Sequence, residues 1–174
     1  MEENTRVSHL LDSMTTRLTR HLDNNIPGTP VIVGIRTGGV WLAGELHSRL
    51  AIEEPVGELD ISFYRDDFTR IGLNPTVKPS NLPFETDDRH ILLVDDVIMS
   101  GRTIRAAMNE LFDYGRPASI TLIALVDIGR RELPIQPDIV GQSLSLNENE
   151  QVKLSGPSPL RMTVQQKPDK TKTG

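Results

Sequence analysis

The sequence predicts an α/β domain with a mostly parallel sheet flanked by helices in three layers. Three observations lead there. Short apolar runs alternate with stretches of helical period, two of those runs open into loops of small residues that lead to helices, and there is no cysteine from which to build a disulfide scaffold. A chain of 174 residues can bury one such core and is too short for two ordinary domains. The expected layout is one domain over residues 1–165, with a flexible loop at about 65–88, a small hood at about 127–165 and a mobile tail at 166–174.

In chain order, Val7, Leu10, Leu11, Met14, Leu18 and Leu22 recur at helical spacing and predict an amphipathic helix over residues 5–23. Residues 24–30 are turn-rich. The β-branched run V-I-V-G-I (31–35) predicts a strand that ends at Arg36, Thr37, Gly38 and Gly39, followed by a helix to about Ala51. Alternation of Leu59, Ile61 and Phe63 with Asp60, Ser62 and Tyr64 predicts a second strand over 56–64. Residues 65–88 carry three prolines and no period, which marks a loop of lid length. H-I-L-L-V (90–94) reads as a buried strand leading through Asp95 and Asp96 into a helix at about 103–114, closed by Gly115 and Pro117. Residues 119–126 read as a further strand, and the chain beyond 127 as loops and short strands. In such a sheet, ligands bind at the carboxyl ends of the strands.

Composition narrows the function. The 4% aromatic content leaves Val, Ile and Leu to fill the core of a chain that is 25% charged. A net charge of −5 gives no global attraction to nucleic acid or anionic lipid, so RNA binding must rest on a local patch. No basic leader precedes an apolar run, and no stretch reaches the roughly 18 apolar residues of a membrane span. The expected compartment is the cytoplasm, with no membrane partner. His9, His47 and His90 have no partner at metal-ligating spacing, and no protein metal ligand is expected. Trp41 is expected to pack near the helix after the first loop, and Lys153 and the terminal lysines to serve solubility.

The chemistry concentrates in I-L-L-V-D-D-V-I-M-S-G-R-T (91–103). Ser100, Gly101 and Thr103 lie at a strand-to-helix turn, where successive N–H groups, two hydroxyls and a helix N-terminus suit a phosphate. Asp95 and Asp96 would repel that phosphate, but carboxylates accept hydrogen bonds from vicinal hydroxyls. The combination describes a ribose 5-phosphate. Two alternatives fit less of the pattern: a receiver domain, whose acid pair lies near the chain start, and a purely structural pair that caps a helix.

This segment resembles the phosphoribosyl pyrophosphate (PRPP) motif of type I phosphoribosyltransferases. L-D-I-S-F-Y-R-D-D (59–67), G-R-P-A-S-I (115–120) and V-D-I-G-R-R-E-L-P-I (126–135) resemble, more narrowly, the bifunctional pyrimidine operon attenuation regulators and uracil phosphoribosyltransferases. The resemblance implies the type I phosphoribosyltransferase fold. It also implies binding of PRPP, uracil and UMP with Mg²⁺ carried mainly on PRPP and pyrophosphate, leader-RNA binding in response to pyrimidine nucleotides, and a homodimer or homotetramer. By that resemblance Asp95 and Asp96 hold the ribose hydroxyls. Val97, Ile98, Met99, Ser100, Gly101, Arg102 and Thr103 hold the 5-phosphate, Arg36, Thr37 and Gly38 form the pyrophosphate loop, and Arg65 lies in the loop that closes over PRPP. Asp95, Asp96, Arg36 and Arg65 form the implied catalytic set. Arg17, Thr19, Arg20 and His21, with Arg130 and Arg131, match the basic RNA face.

The chain also departs from the pattern. Gly38 stands where a basic residue is usual, Met99 where an aromatic is common, and Ile128 and Arg130 replace an Arg and a His. Purine transferases of this type resemble the motif with an acid at the position of Met99, so a pyrimidine is expected, with weak turnover. A plain transferase for another base such as orotate, and a nucleotide-binding regulator that catalyses nothing, stay open.

Overall fold

The computed structural model describes residues 3–61 and 80–168. The elements are α1 (Glu3–Asn25), β1 (Val31–Ile35), α2 (Gly38–Leu50), β2 (Gly57–Leu59), β3 (His90–Ile98), α3 (Arg102–Tyr114), β4 (Ser119–Asp127), β5 (Ile139–Ser143), β6 (Glu150–Ser155) and β7 (Arg161–Gln166). Strands β1 to β5 form one sheet in the order β2-β1-β3-β4-β5, with every neighbouring pair parallel. Strands β6 and β7 pair antiparallel as a separate hairpin.

Period-two alternation divides the sheet residues between two cores. Ile32, Leu92, Val94, Ile123 and Leu125 pack with Leu11, Met14 and Leu18 of α1 and Leu42 and Leu46 of α2. Val31, Val33, Ile91, Leu93 and Leu122 pack with Ile104, Ala107 and Leu111 of α3. Helices therefore cover both faces, as a parallel sheet requires. Leu154, Leu160 and Met162 of the hairpin region join the α1 side.

The boundaries of three predicted features change. The second strand is Gly57–Leu59 rather than 56–64, because the Asp60 amide is taken by the Ser80 hydroxyl at 3.0 Å and leaves the ladder; residues 62–64 lie outside the described residues. Strand β3 runs four residues past the predicted end at Val94: Asp95 pairs with Ala124, Val97 with Val126 and Ile98 with Asp127. Two carboxylates end an apolar run without ending a backbone ladder. In the predicted 65–88 loop, residues 65–79 fall outside the described residues, while Asn81 exchanges two 2.8 Å backbone hydrogen bonds with Glu58. Leu82 and Phe84 pack on the α3-side core, so this stretch covers the edge of β2.

Within 127–165, residues of β5 extend the main sheet, and β7 continues to Gln166, where the tail was expected to start. Trp41 lies in α2, partly buried against the α1-side core. Among the described residues, no helix is long and apolar enough to cross a membrane.

Candidate active site

The strand order reverses direction between β1 and β3: from β1 the chain moves outward to β2, and from β3 it moves the other way to β4 and β5. Loops leaving the carboxyl ends of such a pair diverge and open a crevice. Close packing holds the crevice together. A Cβ on Gly39, in the first turn of α2, would lie 2.5 Å from the Val94 carbonyl oxygen, and one on Gly34 would lie 2.6 Å from the Gly39 carbonyl oxygen. Only glycines let the start of α2 approach β1 and β3 this closely.

A cavity of about 460 Å³ opens at this end of β3. One wall is Asp95 to Gly101 with Thr103, so the predicted diol acceptors and phosphate loop share one surface. Asp95 is 6% exposed, and its carboxylate accepts the Asp96 amide at 2.8 Å. The Asp96 carboxylate in turn accepts the Val97 amide at 2.8 Å. Gly101 takes φ +92° at the start of α3, a conformation that favours glycine. The Ser100 hydroxyl accepts the Arg102 amide at 3.1 Å. Arg102 itself is exposed and pairs through Nε with Glu132 at 2.5 Å.

The first loop meets this site through Asp96, since a Cβ on Gly38 would run into Oδ2 of that carboxylate. Arg36 donates from Nε and a terminal nitrogen to Glu58 at 3.1 and 2.8 Å, and its other terminal nitrogen lies 3.8 Å from Asp60. Thr37, at the N-cap of α2, is exposed. Arg65 lies outside the described residues.

The six residues of the expected RNA face lie in two places. Arg17, Thr19, Arg20 and His21 are on α1, where Arg17 donates to the Val140 carbonyl at 2.6 Å and Thr19 to that of Thr15 at 2.8 Å. Arg130 instead lines the cavity and donates to the Leu146 carbonyl. Arg131 is committed inside the protein, to both Asp127 carboxylate oxygens at 2.9 and 2.7 Å, the Met99 carbonyl at 2.9 Å and the Ile135 carbonyl at 2.6 Å.

The far wall is Ile128, Arg130, Leu146, Glu150, Gln151, Val152 and Lys167. Sequence reasoning singled out only Ile128 and Arg130 of these. The others lie in segments without a motif, and Lys167, taken for a solubilising charge, borders the cavity.

The comparisons with known proteins agree with this fold. The family model described as phosphoribosyl transferase domain matches residues 5–156. A Pseudomonas paraeruginosa protein named bifunctional protein PyrR is 61% identical over 155 residues, covering 89% of this chain and 91% of its own. A Pseudomonas fluorescens protein of the same name is 56% identical, covering 91% and 94%. The hypoxanthine phosphoribosyltransferase structure from Trypanosoma cruzi superposes with a TM-score of 0.62 at 15% identity, covering 87% of this chain and 83% of that one. That from Staphylococcus aureus gives 0.59 at 20%, covering 78% and 74%. At such identities these structures speak for the fold alone. With a family model across most of its length and relatives above half identity over nine-tenths of it, the chain belongs to the phosphoribosyl transferase family, alongside the PyrR proteins.

Proposed function

We propose that this protein transfers ribose 5-phosphate from PRPP to uracil, giving UMP and pyrophosphate, and regulates pyrimidine biosynthesis by binding leader mRNA in response to pyrimidine nucleotides. The observation that carries the transferase reading is the shared surface of Asp95, Asp96 and the loop ending at Thr103, on one wall of a cavity of nucleotide size. Asp95 and Asp96 accept the ribose hydroxyls and the loop takes the 5-phosphate, so C1 of the ribose faces the apolar groups Ile128, Leu146 and Val152 on the opposite wall. The β6–β7 hairpin, which supplies Gln151 and Val152, acts as the hood.

Among the described residues, no group of three or more His, Cys, Asp or Glu can cage a metal. Mg²⁺ would be carried mainly on PRPP oxygens and water, which it prefers to a protein cage, and Asp95 and Asp96 on the cavity wall would meet its hydration shell. When bound, the ion neutralises charge on the departing pyrophosphate. Arg36 and Arg65 are assigned to the same charge. Arg36 must first exchange Glu58 for pyrophosphate, and Gly38 brings no cation of its own, so turnover is slow. Met99 provides no acid for a purine ring nitrogen, which favours a pyrimidine.

RNA binding is assigned to Arg17, Thr19, Arg20 and His21, with Arg130 at the cavity mouth. Arg131 is left out, because its guanidinium is already spent. The protein works in the cytoplasm as a homodimer or homotetramer. A second reading, transfer to orotate, draws on Arg130 and Lys167, two cations at the base end that suit a ring carboxylate.

Turnover with PRPP and each of uracil, orotate, hypoxanthine and guanine tests the base. Product from uracil supports the first reading, product from orotate alone the second, and a purine product sinks both. Titration with PRPP, UMP and GMP identifies the effector. In a gel shift with the chain's own pyrimidine-gene leader, Arg17→Ala with Arg20→Ala should abolish retardation; undiminished binding removes the RNA face from α1.

A further inference from the structure

We propose that Arg131, held by Asp127, is a positioning residue that aims the phosphate loop's amides at the 5-phosphate. This rests on the PRPP-site reading above and adds a mechanism that its motif does not contain.

Four successive carbonyl oxygens of the loop are tied down, three of them by residues 128–133 and the fourth by α3. That of Ile98 accepts the Ile128 amide at 3.0 Å, that of Met99 the Arg131 guanidinium at 2.9 Å, that of Ser100 the Glu132 and Leu133 amides at 2.9 and 3.2 Å, and that of Gly101 the Arg105 amide at 3.0 Å. In a planar trans peptide unit the C=O and the following N–H point in opposite directions. Holding the oxygens of residues 98 to 100 on the 128–133 side therefore turns the N–H groups of Met99, Ser100 and Gly101 away from that segment, while the Arg102 amide donates to the Ser100 hydroxyl at 3.1 Å on the cavity wall.

Three of the four restraints come from backbone amides and accompany the fold. The Met99 restraint alone depends on a side chain, and it governs the Ser100 amide. Arg131 suits the task because its planar fork reaches several acceptors at once: the Met99 and Ile135 carbonyls and both oxygens of Asp127. Asp127 closes β4 and also accepts the Gly129 amide at 2.8 Å, so the fork is anchored to the sheet. The two side chains are 18% and 10% exposed, sheltered enough for a bidentate pair to hold its geometry. A lysine cannot reproduce this, having one point charge for four acceptors.

The test compares UMP with uridine, which differ only in the phosphate. Affinities are measured by titration calorimetry for the full chain and for Arg131→Lys, Arg131→Met and Asp127→Asn, each confirmed folded by its melting temperature. The expected result is UMP affinity reduced about tenfold to a hundredfold, the scale of a lost hydrogen bond to a charged group, with uridine affinity unchanged within about twofold. In turnover the PRPP KM rises and kcat holds. Equal losses for UMP and uridine would mark a general loosening and overturn the proposal, as would unchanged affinity for both. Should the variants not fold, the unaltered protein still decides: in amide NMR the Ser100 resonance shifts with UMP and not with uridine, and no difference refutes the assignment. An unaltered protein that fails to prefer UMP over uridine indicts the phosphoribosyl site itself, not the clamp.

Discussion

Gly38 and Asp96 are coupled through space: the room a side chain would take at residue 38 is occupied by the Asp96 carboxylate. Replacing Gly38 with Lys would supply the cation the pyrophosphate loop lacks, and would also push Asp96 from the ribose. The second effect should dominate in binding, with the PRPP KM raised about tenfold in steady-state assays, because one charge-assisted hydrogen bond is worth roughly 1.5–3 kcal/mol. Asp95→Asn and Asp96→Asn test the diol assignment more directly. Each should weaken UMP by about tenfold or more and 2′-deoxy-UMP much less, so that discrimination between the two nucleotides shrinks in a calorimetric comparison. That residues 95 to 103 share one surface was legible in the sequence because they are contiguous, although the strand continues to Ile98, past its predicted end at Val94. Leu146, Glu150, Gln151 and Lys167 reach the same cavity only through the packing of distant segments, and no linear pattern announces that. Arg131 was read as a surface cation for a related reason: its acceptors are two backbone carbonyls and an acid, none of which a sequence motif advertises as a partner.

Among the elements, β1 was readable to the residue and α2 and α3 nearly so, since glycine loops and apolar period mark their ends. Strand β2 was overread because alternation continued past the point where Ser80 captures the Asp60 amide. The β6–β7 hairpin was hidden by its composition, with Lys153, Gln165 and Gln166 exposed and Glu150 and Gln151 turned to the cavity around a few buried anchors. At the edge of the sheet, Asn81→Pro removes the amide that donates to the Glu58 carbonyl. The expected cost is about 1 kcal/mol, accompanied by faster hydrogen exchange at the Glu58 amide. At the junction of α2 and β3, Gly39→Ala places a methyl group 2.5 Å from a backbone oxygen that has no rotamer with which to move aside. Overpacking of that kind costs about 1–3 kcal/mol, seen as a lower denaturation midpoint at unchanged m-value.

For the molecule as a whole, one central strand serves both halves of the core and the candidate site. Leu92 and Leu93 face opposite helical layers with no exposed surface, so Leu92→Ala and Leu93→Ala should each cost about 2–5 kcal/mol in chemical denaturation. A ligand that binds only the folded crevice acts in the other direction. UMP at a hundred times its dissociation constant adds about 2.7 kcal/mol, which for a chain of this size raises the melting temperature by about 5–10 °C. Uridine at the same concentration should raise it less.

The neighbouring position of β1 and β3 also bears on how the chain folds. Val31 pairs with Ile91, about sixty residues further along, whereas β3 and β4 are joined directly through α3. The β3–β4 partners lie about half as far apart in sequence, and a loop of twice the length costs only about 0.6 kcal/mol more to close. Topology tilts the order of events toward the β3-α3-β4 unit forming first and β1 docking after it. The nucleotide crevice lies on that late seam. Newly made chains would therefore complete their core and their substrate site in the same step, and no half-folded intermediate would hold PRPP.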